Sequence, residues 1–319
     1  MHGWLIIDKP VGPGSTNIVG AVKRALRDGG YARVKVGHGG TLDPLASGVL
    51  PVALGEATKL SGRMLDADKV YEFTIAFGAE TDTLDLEGAA IETSDKRPTL
   101  AQVEAALPLF TGAIEQVPPA YSALKVDGKR AYDLARAGEE VALKSRKVTV
   151  HALRHSRESG NPGGSGEGKK QLDPRFRGDD VVEAVTLEAR VSKGTYIRSL
   201  ARDIARLLGT VGHVTMLLRT RAGPFTLDAA ISLDKLAEAA KGRTLEQHLL
   251  PLTAGLDDIP ALPVTPDQAG ALRQGRILIG IAAKPGLYLA TDDDVPVALV
   301  ELSEGSLRPE LRVLRGFNL

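Results

Sequence analysis

The stretch that most constrains this chain is 181–208, because its periodicity changes midway. From Val181 to Ser192 apolar and polar residues alternate, the two-residue period of a strand with one covered face. From Ile197 to Leu208 the apolar residues Ile197, Leu200, Ala201, Ile204, Leu207 and Leu208 recur at helical spacing instead. A strand running into an amphipathic helix needs a sheet for the one and a covered face for the other, so this part of the chain must be layered. Val70–Phe77 also alternates, with Tyr71, Phe73, Ile75 and Phe77 on one side, and Trp4–Ile7 reads as a short buried strand. Ser15, Thr16 and Asn17 can each cap a helix over about Ile18–Arg27. Pro98, Thr99 and Gln102 form a capping box for a helix that ends before Pro108. A short helix runs from Ser232 to Gly242, and Thr265, Pro266 and Gln268 open another that stops at Gly275. Short strands are predicted at 287–290, 296–302 and 308–314. The expected fold is α+β, with a small β-rich C-terminal module from about residue 257.

Composition enters as a set of exclusions. With 319 residues the chain is ample for a buried core, and with no cysteine it has neither disulfides nor thiolate chemistry. That suits a cytoplasmic protein. No apolar run reaches the roughly 18 residues that span a bilayer. The net charge is zero, but it is unevenly spread: residues 1–63 carry +4, 64–115 carry −8, 116–220 carry +7 and 221–319 carry −3. The two positive blocks can form one basic surface for nucleic acid, or they are ordinary solvated surface. Residues 155–180 are polar, rich in glycine and charge and without periodicity, and read as a flexible insertion.

Several familiar sites are absent. There is no phosphate-binding GxxxxGK[ST], no GxGxxG, no HExxH, and no GxSxG to accompany His38-Gly39-Gly40. Asp43 remains, in the glycine-rich run GHGGTLDPLASG at 37–48, which leaves little room for regular structure. Standing alone, Asp43-Pro44 would be a structural turn.

It does not stand alone. The run GHGGTLDPLASGVLPVALGEATKL resembles the signature motif of the TruB family of tRNA pseudouridine synthases. GWLIIDKPVGPGSTNIVGAVKR resembles the family's opening segment, and DKVYEFTIAFGAETDTLDLEG its tyrosine-bearing strand. QVPPAYSALKVDGKRAYDLARAG resembles its RNA-gripping insertion, VSKGTYIRSLARDIARLLG its arginine-bearing segment, and HVTMLLRTRAGPF the strand that follows. These motifs fall in order across most of residues 3–225. The chain departs from the pattern at Gly39-Gly40, where many members have Thr-Gly, and at the 155–180 insertion.

The resemblance implies a mixed, mainly antiparallel sheet with flanking helices over residues 1–256, including an RNA-gripping insertion at 116–149, and a PUA-like RNA-binding module over 257–319. It implies isomerisation of uridine to pseudouridine at position 55 in the T-loop of tRNA, with the base flipped out of its stack and no cofactor or metal. Asp43 is implied to be the essential aspartate, as nucleophile or as base. Arg198 is implied to pair with it, a neighbouring guanidinium favouring a charged carboxylate. Tyr71 is implied to stack on the uracil and to assist proton transfer, His38 to contact RNA, and Tyr196 and Leu217 to line the base pocket. Lys9 and Pro10 look supportive. The expected partner is the tRNA T-stem-loop, bound by a monomer with no obligate protein partner and no membrane. The competing classes are an RNA-binding protein without catalysis, a guide-dependent synthase, and a hydrolase that uses Asp43.

Overall fold

The computed structural model describes residues 1–122, 124–126, 128–137, 143–156, 180–304 and 308–319. Most of the polar insertion expected at 155–180 lies outside them. The chain opens with β1 (Gly3–Lys9), α1 (Ser15–Asp28), β2 (Val36–His38) and β3 (Ala46–Leu54). Next come α2 (Ser61–Asp66), β4 (Lys69–Phe77) and the hairpin β5 (Ala79–Thr81) and β6 (Ala90–Thr93). Then follow α3 (Leu100–Ala106), β7 (Gly112–Gln116), β8 (Lys125–Val126), β9 (Lys129–Arg130) and α4 (Ala131–Arg136). The framework is completed by β10 (Arg146–His155), β11 (Ala184–Val191), α5 (Ile197–Leu207), β12 (Gly212–Ala222), β13 (Phe225–Thr226), α6 (Leu233–Lys241) and β14 (Leu249–Leu250). Last come β15 (Ala261–Pro263), α7 (Pro266–Arg273), β16 (Leu278–Ile279), β17 (Gly286–Asp292), β18 (Val295–Ser303) and β19 (Glu310–Gly316).

One large sheet runs in the order β14-β1-β3-β12-β4-β11-β10-β7, with β2 added to β3 and β13 to β12. Every pairing in it is antiparallel except that of β3 with β12. A second sheet, β15-β17-β18-β19-β16, forms the C-terminal module. This is the expected α+β class. Both capping boxes form, Thr99 with Gln102 and Thr265 with Gln268.

Two local expectations are corrected. Helix α1 is capped by Gly14 with no side-chain hydrogen bond, because the Ser15 hydroxyl is used elsewhere: it accepts from the Leu42 N–H at 2.8 Å and donates to the Leu42 carbonyl at 3.1 Å. The run 37–48 is irregular only in its middle. Its ends belong to β2 and β3, which pair with each other, so the loop is the connection of a strand pair. Strand β3 is buried on both faces for most of its length, so it shows no alternation.

The sheet's two faces carry different cores. On one face α5 and α3 cover Phe73, Ile75 and Leu187, while α1 and α6 cover Leu5, Ile7 and Leu50. Each such fully buried side chain contributes about 1.5–3 kcal/mol of transfer free energy. Tyr71 and Leu217 pack against both of these clusters, at the seam between them. On the other face, Trp4 and Ile6 meet Leu289, Leu299 and Phe317 of the C-terminal module. Polar contacts close the same junction. Lys59 Nζ donates to the Gly316 carbonyl at 2.8 Å, the Asn318 N–H donates to Glu56 at 2.9 Å, and Arg63 pairs with Asp258 at 2.7 Å.

Candidate active site

The seam between the two cores opens into a cavity of about 350 Å³. Asp43, Tyr71, Tyr196, Arg198 and Leu217 all line it, so five of the six residues singled out in the sequence come together. Tyr71 comes from β4 and Leu217 from β12, its neighbour in the sheet, where Leu217 pairs with Phe73. Tyr196 is the N-cap of α5, and Arg198 lies in that helix's first turn. His38, the sixth, ends β2 outside the lining. It is half-buried, and its Nδ1 accepts from the Gly40 N–H at 3.4 Å. Burial, and then the Arg219 guanidinium, lower its pKa, which favours a neutral imidazole.

Arg198 is the junction of the site. Its Nη2 lies 2.8 Å from Asp43 Oδ2 and donates to the Tyr121 carbonyl at 3.0 Å. Its Nη1 donates to the Thr83 carbonyl at 2.7 Å and to Asp85 Oδ2 at 3.1 Å. The guanidinium is therefore shared between two carboxylates of different exposure: Asp43 keeps 42% of its side-chain surface open, Asp85 only 8%. Asp85 is fixed in turn by the Thr83 hydroxyl at 2.5 Å and the Glu87 N–H at 3.0 Å. Leu84 between them adopts a φ of +63°, uncommon for a residue with a side chain. That turn aims both Thr83 and Asp85 at Arg198. The even spacing of Arg198, Arg202 and Arg206 in sequence conceals three separate environments. Arg202 bonds Asp203, Arg206 bonds Glu80, and only Arg198 turns into the cavity.

The loop carrying Asp43 is tied down by buried cations. Lys9 Nζ donates to the carbonyls of Pro10, Pro44 and Ala46 at 2.9, 3.2 and 2.5 Å. Arg219 donates to Val49, Thr41 and Gly40 at 2.8, 3.1 and 3.3 Å. Both are almost wholly inaccessible to solvent, at 0% and 1%. Lys69, at the cavity edge, caps α2 by donating to Met64, Leu65 and Ala67. Burial brings the pKa of Lys9 down to about 8, against a raising effect of Asp43, and burial with Arg219 does the same to Lys69.

Glycine is needed at two positions of this loop. A Cβ on Gly48, whose φ is +96°, would lie 2.3 Å from the Arg219 carbonyl oxygen, so close pairing with β12 excludes a side chain. At Gly39 a Cβ would lie 2.6 Å from Met64 Cβ. Gly39 is thus matched to the close approach of α2 at Met64.

Sequence reasoning missed Asp85, Arg219, Lys69 and Arg146, the last of which also lines the cavity, and it treated Lys9 only as supportive. Asp85 was hidden in the most acidic stretch of the chain. Arg219 carries no distinguishing signal, because His213, Thr215, Thr220 and Arg221 stand on the same strand. A larger groove of about 1080 Å³ lies around Glu72 and Glu188, on the opposite face of the sheet from Tyr71. It contains none of the residues singled out from the motifs. Among the described residues no group of His, Asp and Glu is placed to hold a metal ion, and no helix is long and apolar enough to cross a membrane.

Comparison with known proteins identifies the family. The family model of the TruB family pseudouridylate synthase N-terminal domain matches residues 27–197, and that of the tRNA pseudouridylate synthase B C-terminal domain matches residues 198–257. The tRNA pseudouridine synthase B of Novosphingobium aromaticivorans is 62% identical over all of this chain and 98% of its own length. That of Zymomonas mobilis is 58% identical over all of this chain and 96% of its own. In solved structures, a chain of an H/ACA RNP bound to a substrate RNA containing 2′-deoxyuridine superimposes with a TM-score of 0.69. It is 23% identical, over 99% of this chain and 85% of that one, a likeness of fold. Two motif-bearing walls meeting at one carboxylate, matching family models and full-length relatives lead to one assignment: the chain belongs to the TruB family of pseudouridylate synthases.

Proposed function

We propose that this chain converts uridine 55 in the T-loop of tRNA to pseudouridine. The observation that carries the reading is the Asp43 carboxylate, 2.8 Å from Arg198, beside a cavity walled by Tyr71, Tyr196 and Leu217. The uridine is flipped into that cavity, where the aromatic rings replace the stacking it loses. The bond from N1 to C1′ breaks, the ring turns, and a bond from C5 to C1′ forms. The C5 proton leaves and N1 gains one, so atoms balance and nothing is oxidised. Asp43 acts on the nucleotide as nucleophile or as base, and its open oxygen surface leaves it reachable. Arg198, held from three other sides, fixes the carboxylate's orientation. Tyr71 stacks on the uracil and assists removal of the C5 proton. His38 contacts the RNA beside the vacated stack.

Residues 1–256 act as the catalytic domain and 257–319 as an RNA-binding module. The exposed Lys23, Arg24 and Arg27 of α1, the 116–149 segment and the C-terminal module grip the tRNA through phosphate contacts, so affinity falls steeply with salt. The test is pseudouridine mapping in T-stem-loop RNA with wild type and Asp43→Asn. The substitution is expected to lower the single-turnover rate by at least about 10³-fold, with the Kd for tRNA changed only a few-fold. Normal product from the variant, or product at another uridine from wild type, overturns the reading.

A further inference from the structure

The wall facing Asp43 is built around Tyr196, and two side chains outside the motif that carries it hold it from different directions. Gln116 ends β7 and is 1% exposed. Its Nε2 donates to the Tyr196 carbonyl at 3.1 Å, and its Oε1 accepts from the Tyr196 N–H at 2.8 Å. One amide thus takes both backbone groups of one residue, as a neighbouring strand would. Directly across the β7–β10 ladder, Arg146 pairs with Gln116. Its guanidinium lies over the Tyr196 ring, 4.7 Å from the centroid, and an Nη2 N–H donates to the Gly194 carbonyl. The backbone of Tyr196 is held by one member of this cross-strand pair and its ring by the other.

The next residues extend the attachment. The Ser199 hydroxyl donates to the Val117 carbonyl at 2.8 Å, and Arg198 Nη2 donates to Tyr121 while it pairs with Asp43. The first turn of α5 is therefore fixed to segment 116–121. A shift of Tyr196 along this seam carries Arg198 with it, because the two are separated by a single residue.

We infer that Gln116 and Arg146 are positioning residues for the isomerisation, a cross-strand clamp that sets Tyr196 against the base and, through the first turn of α5, Arg198 against Asp43. The inference rests on the proposed use of this cavity. Neither side chain has to touch the uracil. Misplacement of a catalytic group by about 1 Å is enough to cost about 100-fold in rate, so the clamp should be visible in the chemical step.

The experiment uses the full chain and T-stem-loop RNA, with three readouts: the single-turnover rate at saturating RNA, the Kd, and the thermal midpoint. Gln116→Met keeps the side chain's length and removes both hydrogen bonds. Arg146→Lys keeps the charge, and with it any phosphate contact, and removes the planar guanidinium from the ring. Each is expected to lower the rate by about 10- to 100-fold with Kd within about threefold of wild type. Because both act through Tyr196, the double variant should lose less than the product of the two single losses. A rate within about threefold of wild type for the folded variants overturns the inference, as does a weakened Kd with an unchanged saturated rate. If Gln116→Met does not fold, Arg146→Lys decides alone on the same criteria. Asp43→Asn, run in parallel, separates the layers. An active Asp43→Asn removes the reading of the cavity itself, whereas an inactive one beside normal Gln116 and Arg146 variants removes the clamp alone.

Discussion

The wall that carries Asp43 and the wall that carries Tyr196 face each other across one cavity, yet they are held in place differently. Behind Asp43 lie Lys9 and Arg219, buried and bonded to six backbone carbonyls around the loop. Behind Tyr196 lies the neutral amide of Gln116, with the Arg146 guanidinium on the ring face. A wall presenting a carboxylate gains from positive charge placed on the backbone around it, which leaves the carboxylate oxygens to Arg198 and the substrate. A wall presenting an aromatic ring needs orientation only, and a neutral amide on the backbone with a half-buried guanidinium on the ring supplies that without the desolvation of a further fully buried cation.

The contrast breaks most decisively at Arg219. Replacing it by methionine strands three carbonyls, one of them Gly40 on the cavity edge. The expected result is a loss of about 3 kcal/mol in urea denaturation and a fall in single-turnover rate of about 100-fold. A loss below about 1 kcal/mol would mean that the loop does not depend on its cation.

A smaller effect comes from pH. Lys9 and Lys69 each use three donors on three carbonyls, and a neutral amine has only two. With both pKa values near 8, the single-turnover rate should fall several-fold as pH rises through that value. Stability should move the other way. Below about 8 both lysines are charged folded and unfolded, and neither changes stability with pH. Between about 8 and the ordinary 10.5 the folded chain binds fewer protons than the unfolded one, so these groups favour folding increasingly as pH rises. A rate flat from pH 7 to 10 would contradict the assignment of charge to this wall.

The smallest effect sharpens the same comparison. Gly39→Ala should destabilise by about 1–2 kcal/mol through its clash with Met64 Cβ, and in a chain already carrying Met64→Gly, which removes that atom, the same substitution should cost less. Additive losses measured by denaturation would show that the two do not compete for one space.

The sequence spoke most clearly where local chemistry decides structure. Thr99 and Gln102, like Thr265 and Gln268, announce their helices because a capping box is made within four residues. The alternation ending in Phe77 and the helical period from Ile197 emerge as β4 and α5 because each has one covered face. Strand β3 escaped notice because both its faces are covered, and two-sided burial erases the alternation. In the site, Asp43, Tyr71 and Arg198 were legible through the motif run. Gln116 and Arg146 were not, because what matters about them is a contact across 80 residues to Tyr196 in one case and a cross-strand pairing in the other. Ser15 misled, since a hydroxyl at a helix start reads as a cap until the chain brings Leu42 to it.

Strand β12 lies between β3 and β4, which are close neighbours in the chain, and it pairs with β3 in parallel. Leu217 and Arg219, which floor the cavity and secure its loop, therefore reach the first quarter of the protein only after more than half of it has emerged from the ribosome. Until that insertion the nascent chain has its aspartate but no pocket beside it. Such long-range closure makes assembly slow. It also means that the cavity beside Asp43 has no floor until residues 217–219 have been made.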